Sequence, residues 1–177
     1  ACCYTVVGDC PIGRPFLVDG RARLGTLVSR GDWADRIEPD TAALDRETRA
    51  ALADFWGREA LSEHASVASF ARFVMQLLAT GAPADLVRSS QRALAEEIDH
   101  ATLCFGLASA YSGAPVGPSA LDLSGGLEGG LDPIAIAVAV AREGCIAESV
   151  AALQVAAAGD AATDPAIRRA LAAVAEQ

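Results

Sequence analysis

A glutamate and a histidine three residues apart, Glu97 and His100, are the residues of this chain best suited to chemistry. Residues with this spacing share one face of a helix, so both side chains can reach the same metal ion or two adjacent ions. Another glutamate, Glu63, lies 34 residues before Glu97, and a predicted helical turn lies almost midway between them. Folding back at that turn brings Glu63 level with the pair. Carboxylate oxygens and an imidazole nitrogen suit iron or manganese.

The chain begins the same construction a second time. The run Arg58-Glu-Ala-Leu-Ser-Glu63 parallels Arg142-Glu-Gly-Cys-Ile-Ala-Glu148, which carries one extra residue. This parallel makes Glu148 the fourth candidate metal ligand, after the three of the first half.

The position of a second Glu-x-x-His follows from the repeat. Glu97 lies 14 residues after Pro83, and the same count from Pro165 gives position 179, two past the last printed residue. We therefore interpret the chain as a fragment that ends within its fourth helix. Glu176 is a weaker candidate for the missing carboxylate.

Two long amphipathic helices are predicted to carry the first half of the site. Apolar residues recur every three or four positions over residues 41 to 80 and again over 83 to 111. Glu63 interrupts the apolar stripe of the first helix, and Glu97 and His100 interrupt that of the second. Buried carboxylates without partners are costly, and divalent cations would neutralise them.

Several residues are predicted to set the boundaries of these helices. Asp40 or Thr41 can cap the first helix, and Gly57 can kink or divide it. The run Gly81-Ala-Pro83 ends the first helix and opens the second, since proline suits a first helical turn.

A third helix is predicted over residues 133 to 158 and a fourth from Thr163 or Asp164. The third is capped by Asp132 and is apolar nearly all round, which predicts burial. The loop before it, residues 112 to 131, holds six Gly and two Pro. Such a loop can span ~60 Å, which exceeds the ~30 Å length of a bundle helix. It can therefore cross the bundle and set the third helix parallel to the second.

Composition supports an all-α fold and excludes some partners. Hydrophobic residues make up 52% and aromatic residues 5% of the 177, and the net charge is −9 with every basic residue an arginine. No basic stripe appears, which argues against nucleic acid. The most apolar run, residues 134 to 141, is too short to span a bilayer.

The N-terminal segment, residues 1 to 40, is predicted to be non-helical and to cap the bundle of residues 41 to 177. Pro15 to Val18 and Leu24 to Val28 read as short strands or extended chain. Cys2, Cys3 and Cys10 favour disulfides or free thiols over a metal site, because no Cys-x-x-Cys spacing occurs. They favour an exported, periplasmic or cell-envelope protein, with the cytoplasm as the alternative.

The ligand pattern resembles the ferritin-like superfamily, in particular its rubrerythrin-like branch of di-iron carboxylate four-helix bundles. There two helices each give a Glu and two give Glu-x-x-His. The resemblance covers roughly residues 55 to 177, and residues 59 to 107 also look like bacterial ferritin-like domain proteins of unassigned function, often exported. It implies metal ligands at Glu63, Glu97, His100 and Glu148, with Glu97 bridging and His100 terminal. The fourth-helix motif and the rubredoxin-type Cys-x-x-Cys pairs are absent from this sequence.

The resemblance implies two iron (or manganese) ions in the complete protein, and the printed chain, lacking part of one ion's ligands, is a poorer binder. The implied activity is oxidoreductase chemistry with dioxygen or peroxide, of a ferroxidase, peroxidase or oxidase kind. The alternative is a non-catalytic ferritin-like structural or binding module, for example at a cell surface. A homodimer remains open.

Simpler interpretations compete at each candidate ligand. The three glutamates could face solvent. Glu59 and Glu143 could support the site or pair with Arg58, Arg142 or Arg92, and pairing is favoured. A surface or packing role is favoured for His64, and solvent exposure for Asp99. Cys104 and Cys145 read as small buried side chains. Four aromatic residues are most simply core: Trp56, Phe70, Phe73 and Tyr111.

Overall fold

The computed structural model describes residues 14–128 and 130–175, apart from the side chains of residues 146–148. Its elements are β1 (Leu17–Val18), β2 (Arg21–Ala22), β3 (Leu27–Val28), α1 (Arg46–Ala79), α2 (Ala84–Ser112), β4 (Gly117–Pro118), α3 (Pro133–Ala139), a π-helical segment (Val140–Ala147), α4 (Glu148–Ala161) and α5 (Pro165–Ala175). The chain is mostly helical, as the sequence predicts. Cys2, Cys3, Cys10 and Glu176 lie outside the described residues.

Helix α1 begins later than the capping pattern predicts. The carboxylate of Asp45 accepts a hydrogen bond from the backbone N–H of Thr48 at 2.7 Å and so caps the helix. The prediction of Asp40 or Thr41 as cap is wrong, because both are used in turns before the helix. Asp40 accepts from the backbone of Ala42, and the Thr41 carbonyl accepts from the backbone of Leu44.

Gly57 neither kinks nor divides the helix, since α1 runs unbroken through it. Its role is close approach: a Cβ there would lie 2.7 Å from Cδ1 of Leu27 in β3. A side chain at Gly57 would therefore require the Leu27 side chain to move.

The predicted turn between the two long helices is present. Gly81 adopts a positive φ of 71°, and Pro83 precedes the first residue of α2. Helix α2 then ends at Gly113, which is also left-handed, with φ 77°. The two helices form the most extensive helix pair of the structure and define the first hairpin, α1 and α2.

The N-terminal segment, here residues 14–45, lies against the first hairpin. Strands β1 and β2 pair antiparallel around Asp19 and Gly20, whose positive φ values of 51° and 71° fit a type I′ turn. Phe16 and Val18 pack on Ala65 of α1 in a small apolar cluster. Strand β3 pairs with β4, which ties the segment to the loop after α2.

That loop runs the length of the first hairpin. At its start the Arg49 guanidinium, near the beginning of α1, donates to the Tyr111 carbonyl at 3.3 Å. At its end Leu127 and Leu131 line a groove with Met75, near the end of α1. The 26 helical residues between Arg49 and Met75 correspond to about 39 Å. The third helical stretch therefore begins near the end of α1 and the beginning of α2.

The third helical stretch comprises α3, the π-helical segment and α4. The prediction that it is buried is correct for Ala151 and Val155 of α4 and wrong for α3 and for Leu153. No residue of α3 is buried, Ile134 is 75% exposed, and Leu153 in α4 is 72% exposed. An apolar helix is buried only where another element faces it, and α1 and α2 mainly face each other. We refer to the outward side carrying these two residues as the apolar face.

The main core lies where the second hairpin, α4 and α5, meets the end of the first. Trp56 and Tyr111 are buried there, as predicted. The remaining buried members come from both hairpins: Ala60, Ala101, Cys104, Phe105, Leu107, Ala108, Val155, Ala162, Ile167 and Leu171. Phe70 and Phe73 lie outside this cluster and are half-buried.

Candidate metal centre

Three of the four predicted ligands converge between α1 and α2. Glu63 comes from α1, and Glu97 and His100 come from α2 one helical turn apart. A carboxylate oxygen of each glutamate and an imidazole nitrogen of the histidine all lie within 4.8 Å of one another. We call these three residues the Glu–Glu–His cluster.

The cluster is dry because small residues let the two helices approach closely. Ala60, Ser66 and Ala101 are fully buried around it. Glu63 is 1% exposed and Glu97 5% exposed, so the alternative in which they face water is wrong. A buried carboxylate is tolerated only with charge or hydrogen-bond compensation.

Burial dominates the electrostatics of Glu97 and raises the pKa of its carboxyl group. A hydrogen bond with Glu63, the charge of His100 and a hydrogen bond with Ser66 act in the opposite direction and lower this pKa. Two carboxyl groups at this distance share a proton readily, because ionising both places two negative charges side by side. A divalent cation can replace that proton.

Two atoms of the cluster point to a ligand. Oε2 of Glu97 and Nε2 of His100 are buried and have no hydrogen-bond partner within the described part of the chain. Buried polar atoms nearly always have one, so such atoms require an explanation. Both are lone-pair donors suited to a cation.

The separations fit an ion after a small adjustment. Carboxylate and imidazole atoms lie about 2.1 Å from a first-row metal ion, so opposite ligands of one ion lie about 4.2 Å apart. Atoms at the upper end of the observed range must therefore approach by about half an ångström. A small side-chain rotation achieves this.

Cys104 and Glu59 extend the polar lining beyond the predicted ligands. Cys104 is buried, as predicted, one turn after His100. Burial raises the pKa of its thiol well above the usual value, and the carboxylates of Glu63 and Glu59 raise it further. Glu59, one helical turn before Glu63, is itself buried.

Neighbouring polar residues take the roles that the sequence favoured. His64 packs edge-on against Trp33 of the N-terminal segment, with ring centroids 4.8 Å apart. Burial lowers the pKa of His64, and the charge of Arg30 lowers it further. Asp99 is exposed to solvent, as predicted. Trp33 carried no sequence signal, since only the fold brings it beside His64.

In the third helical stretch, Glu143 has a partner that the sequence did not predict. Its carboxylate pairs with Arg14 at 3.5 Å, so the predicted pairing with Arg58, Arg142 or Arg92 is wrong for Glu143. Arg14 is far away in sequence and only the fold brings it close. Cys145 is exposed, so its prediction as a buried side chain is also wrong. The side chain of Glu148, the fourth predicted ligand, lies outside the described residues.

Comparison of this chain with family models, with curated proteins and with solved structures finds no match. The site is therefore interpreted from its own geometry. Among the described residues, no helix has both the length and the apolar character that crossing a membrane requires.

Proposed function

We propose that this chain is a ferritin-like, di-metal carboxylate protein that binds two iron (or manganese) ions and performs redox chemistry with dioxygen or peroxide. The observation that carries the proposal is the convergence of two carboxylates and an imidazole in a dry interior. The buried Oε2 of Glu97 and Nε2 of His100, which have no hydrogen-bond partner among the described residues, support this proposal. This donor set suits iron and manganese.

The π-helical segment supports a matching contribution from the second half of the repeat. The run from Arg142 to Glu148 has one residue more than the run from Arg58 to Glu63. A π-type turn closes with an i→i+5 hydrogen bond and thus accommodates one extra residue. The segment Val140–Ala147 covers this run, so Glu148 can keep the helical face that Glu63 occupies in α1.

The residues of the cluster have distinct roles in this proposal. Glu97, which lies next to Glu63 and Ser66, would bridge the two ions and His100 would be a terminal ligand, as the resemblance implies. Glu97 releases the proton that its raised pKa retains when a cation binds. Bound iron supplies one-electron chemistry toward oxygen species. Ala60, Ala101 and the un-ionised thiol of Cys104 keep the surroundings dry.

Metal content of the natural protein that contains this chain tests the proposal. We expect iron or manganese to copurify and ferrous iron with oxygen to produce an optical change. Glu97→Ala and His100→Ala should each weaken binding at least tenfold, since even indirect partners of ligands contribute 10- to 100-fold. Asp99→Asn is the matched control, because this exposed carboxylate lies between the two ligands on the same helix. Metal content near zero, unaltered by Glu97→Ala, would contradict the proposal.

A non-catalytic binding module is the second candidate, and the apolar face favours it. Ile134 and Leu153 present large apolar side chains to solvent. Exposed apolar surface of this kind marks contact sites on many proteins. The metal measurement separates the two candidates, because a module needs no ion at the Glu–Glu–His cluster.

A further inference from the structure

Arg14 connects three parts of the molecule from a buried position. It opens the described N-terminal segment, its carbonyl contacts α1, and its side chain reaches the π-helical segment. The side chain is 4% exposed, which is rare for an arginine. A buried guanidinium is retained only where its charge and its planar face are both used.

The backbone of Arg14 is held in place beside the candidate metal centre. The Ser66 hydroxyl donates to the Arg14 carbonyl at 2.8 Å in a fully buried hydrogen bond. Ser66 follows Glu63 by three residues and lies close enough to Glu97 to lower the pKa of its carboxyl group. The backbone of Arg14, from which its side chain extends, is therefore fixed relative to the candidate ligands.

The guanidinium of Arg14 is fixed as well. It lies over the rings of Phe70 and Phe73, with its carbon 5.4 and 5.1 Å from their centroids. Such cation–π contacts stabilise a desolvated arginine and restrict its orientation. In this position the Arg14 Nε lies 3.5 Å from Oε2 of Glu143. Arg72, the other arginine beside Glu143, lies over Phe16 and donates to the Leu17 carbonyl.

The third helical stretch needs such an anchor. Helix α3 buries no residue, and its contacts with the first hairpin are few. The ion pair of Arg14 with Glu143 joins this stretch to the N-terminal segment. Glu143 precedes the predicted ligand Glu148 by five residues within or next to the π-helical segment.

We propose that Arg14 is a positioning residue that sets the height and rotation of the π-helical segment relative to the Glu–Glu–His cluster. This inference rests on the proposed function. Arg14 contacts neither metal nor substrate and acts through Glu143. The N-terminal segment thereby helps to position residues of the metal centre.

The test compares Arg14→Gln, Glu143→Gln and the double variant with the natural protein. Arg23→Gln is the matched control, because Arg23 pairs with Asp122 at the same 3.5 Å but both partners are exposed and neither belongs to the third stretch. Glu143→Gln keeps Arg14 and its contacts with Phe70 and Phe73. It therefore still tests the ion pair if Arg14→Gln folds poorly. Hydrogen exchange of residues 140–147 in metal-free protein and titration with ferrous or manganous ions are measured for each.

We expect both single variants to lose exchange protection at residues 140–147 and to bind the second ion about 10- to 100-fold more weakly, as for other residues that orient ligands. The double variant should be little worse than either single variant, because both remove one interaction. Arg23→Gln should resemble the natural protein. Unchanged protection and unchanged metal affinity in Arg14→Gln and Glu143→Gln would overturn the inference.

The two proposals fail in different ways. If the natural protein binds no metal, the proposed function fails, and exchange at residues 140–147 still shows whether Arg14 positions the segment. If the natural protein binds two ions and the Arg14 and Glu143 variants bind them equally well, only the positioning role fails. Stability loss without any effect on metal affinity likewise counts against it.

Discussion

The two helical hairpins differ in which kinds of residue they bury. The first hairpin buries two glutamates, Glu63 and Glu97, between α1 and α2. The second, with the third helical stretch that leads into it, is richer in apolar residues yet leaves Ile134 and Leu153 largely exposed. Apolar content alone therefore does not decide which residues of this protein are buried.

The difference follows from what faces each helix. Helices α1 and α2 pack along their lengths, so even charged residues on the shared face are removed from water. Helices α4 and α5 pack on each other and on one end of the first hairpin, while α3 has no such partner. Burial of charge in the first hairpin then demands compensation, and we propose that metal ions provide it.

The largest expected effect comes from a matched pair of leucines. Leu107 in α2 is fully buried and Leu153 in α4 is 72% exposed. Leu107→Ala should destabilise by about 2–5 kcal/mol through lost burial and a cavity. Leu153→Ala should change stability by less than about 0.5 kcal/mol, as exposed positions do. Denaturant unfolding measures both, and equal losses would show that the apolar face is covered in solution.

A smaller contrast is expected between two helical glycines. A Cβ at Gly106 in α2 would lie 2.4 Å from the Asp35 carbonyl oxygen of the N-terminal segment, so Gly106→Ala should cost about 1–3 kcal/mol. At Gly144 the nearest atom, on Val140, is 3.8 Å away. Gly144→Ala should therefore stabilise by up to about 1 kcal/mol through helix propensity. Thermal unfolding compares the two variants, and destabilisation by Gly144→Ala would mean that the π-helical segment is tightly packed.

The smallest expected effect is a pH dependence confined to the first hairpin. Burial raises the pKa of Glu97, so the folded metal-free protein holds a proton that the unfolded chain releases. Its stability should therefore fall as pH rises above the usual glutamate range, near ~4.3, through the raised pKa. Glu97→Gln, which cannot ionise, should flatten this decline.

Denaturant unfolding from about pH 5 to about pH 8 checks this sign. Asp99→Asn on the exposed side of α2 should keep the natural decline. A natural protein whose stability rises over this interval would show that Glu97 is ionised in the folded state without metal.

Much of the first hairpin could be predicted from local sequence. Apolar periodicity marked both long helices, and the Gly81 and Pro83 turn placed Glu63 opposite Glu97 and His100. These features depend on residues a few positions apart, which the helical repeat alone relates. The Asp45 cap was missed because Asp40 and Thr41 offered equally good capping side chains.

The features that the sequence concealed are all long-range. Arg14 and Glu143 are paired across most of the chain, and Trp33 meets His64 only because the N-terminal segment folds back along α1. The return strand β2 did have a signal, the Asp19 and Gly20 turn, which fits a two-residue hairpin.

By itself the sequence determined the helices, their turns and the helical face on which the candidate ligands lie, because hydrogen bonds and side-chain periodicity within a helix are local. The apolar stripes indicated that Glu63 and Glu97 face inward, whereas only the tertiary structure decided that Ile134 is exposed and that Arg14 reaches Glu143. Burial and ion pairing depend on which surfaces meet in space. No spacing along this chain encodes that directly.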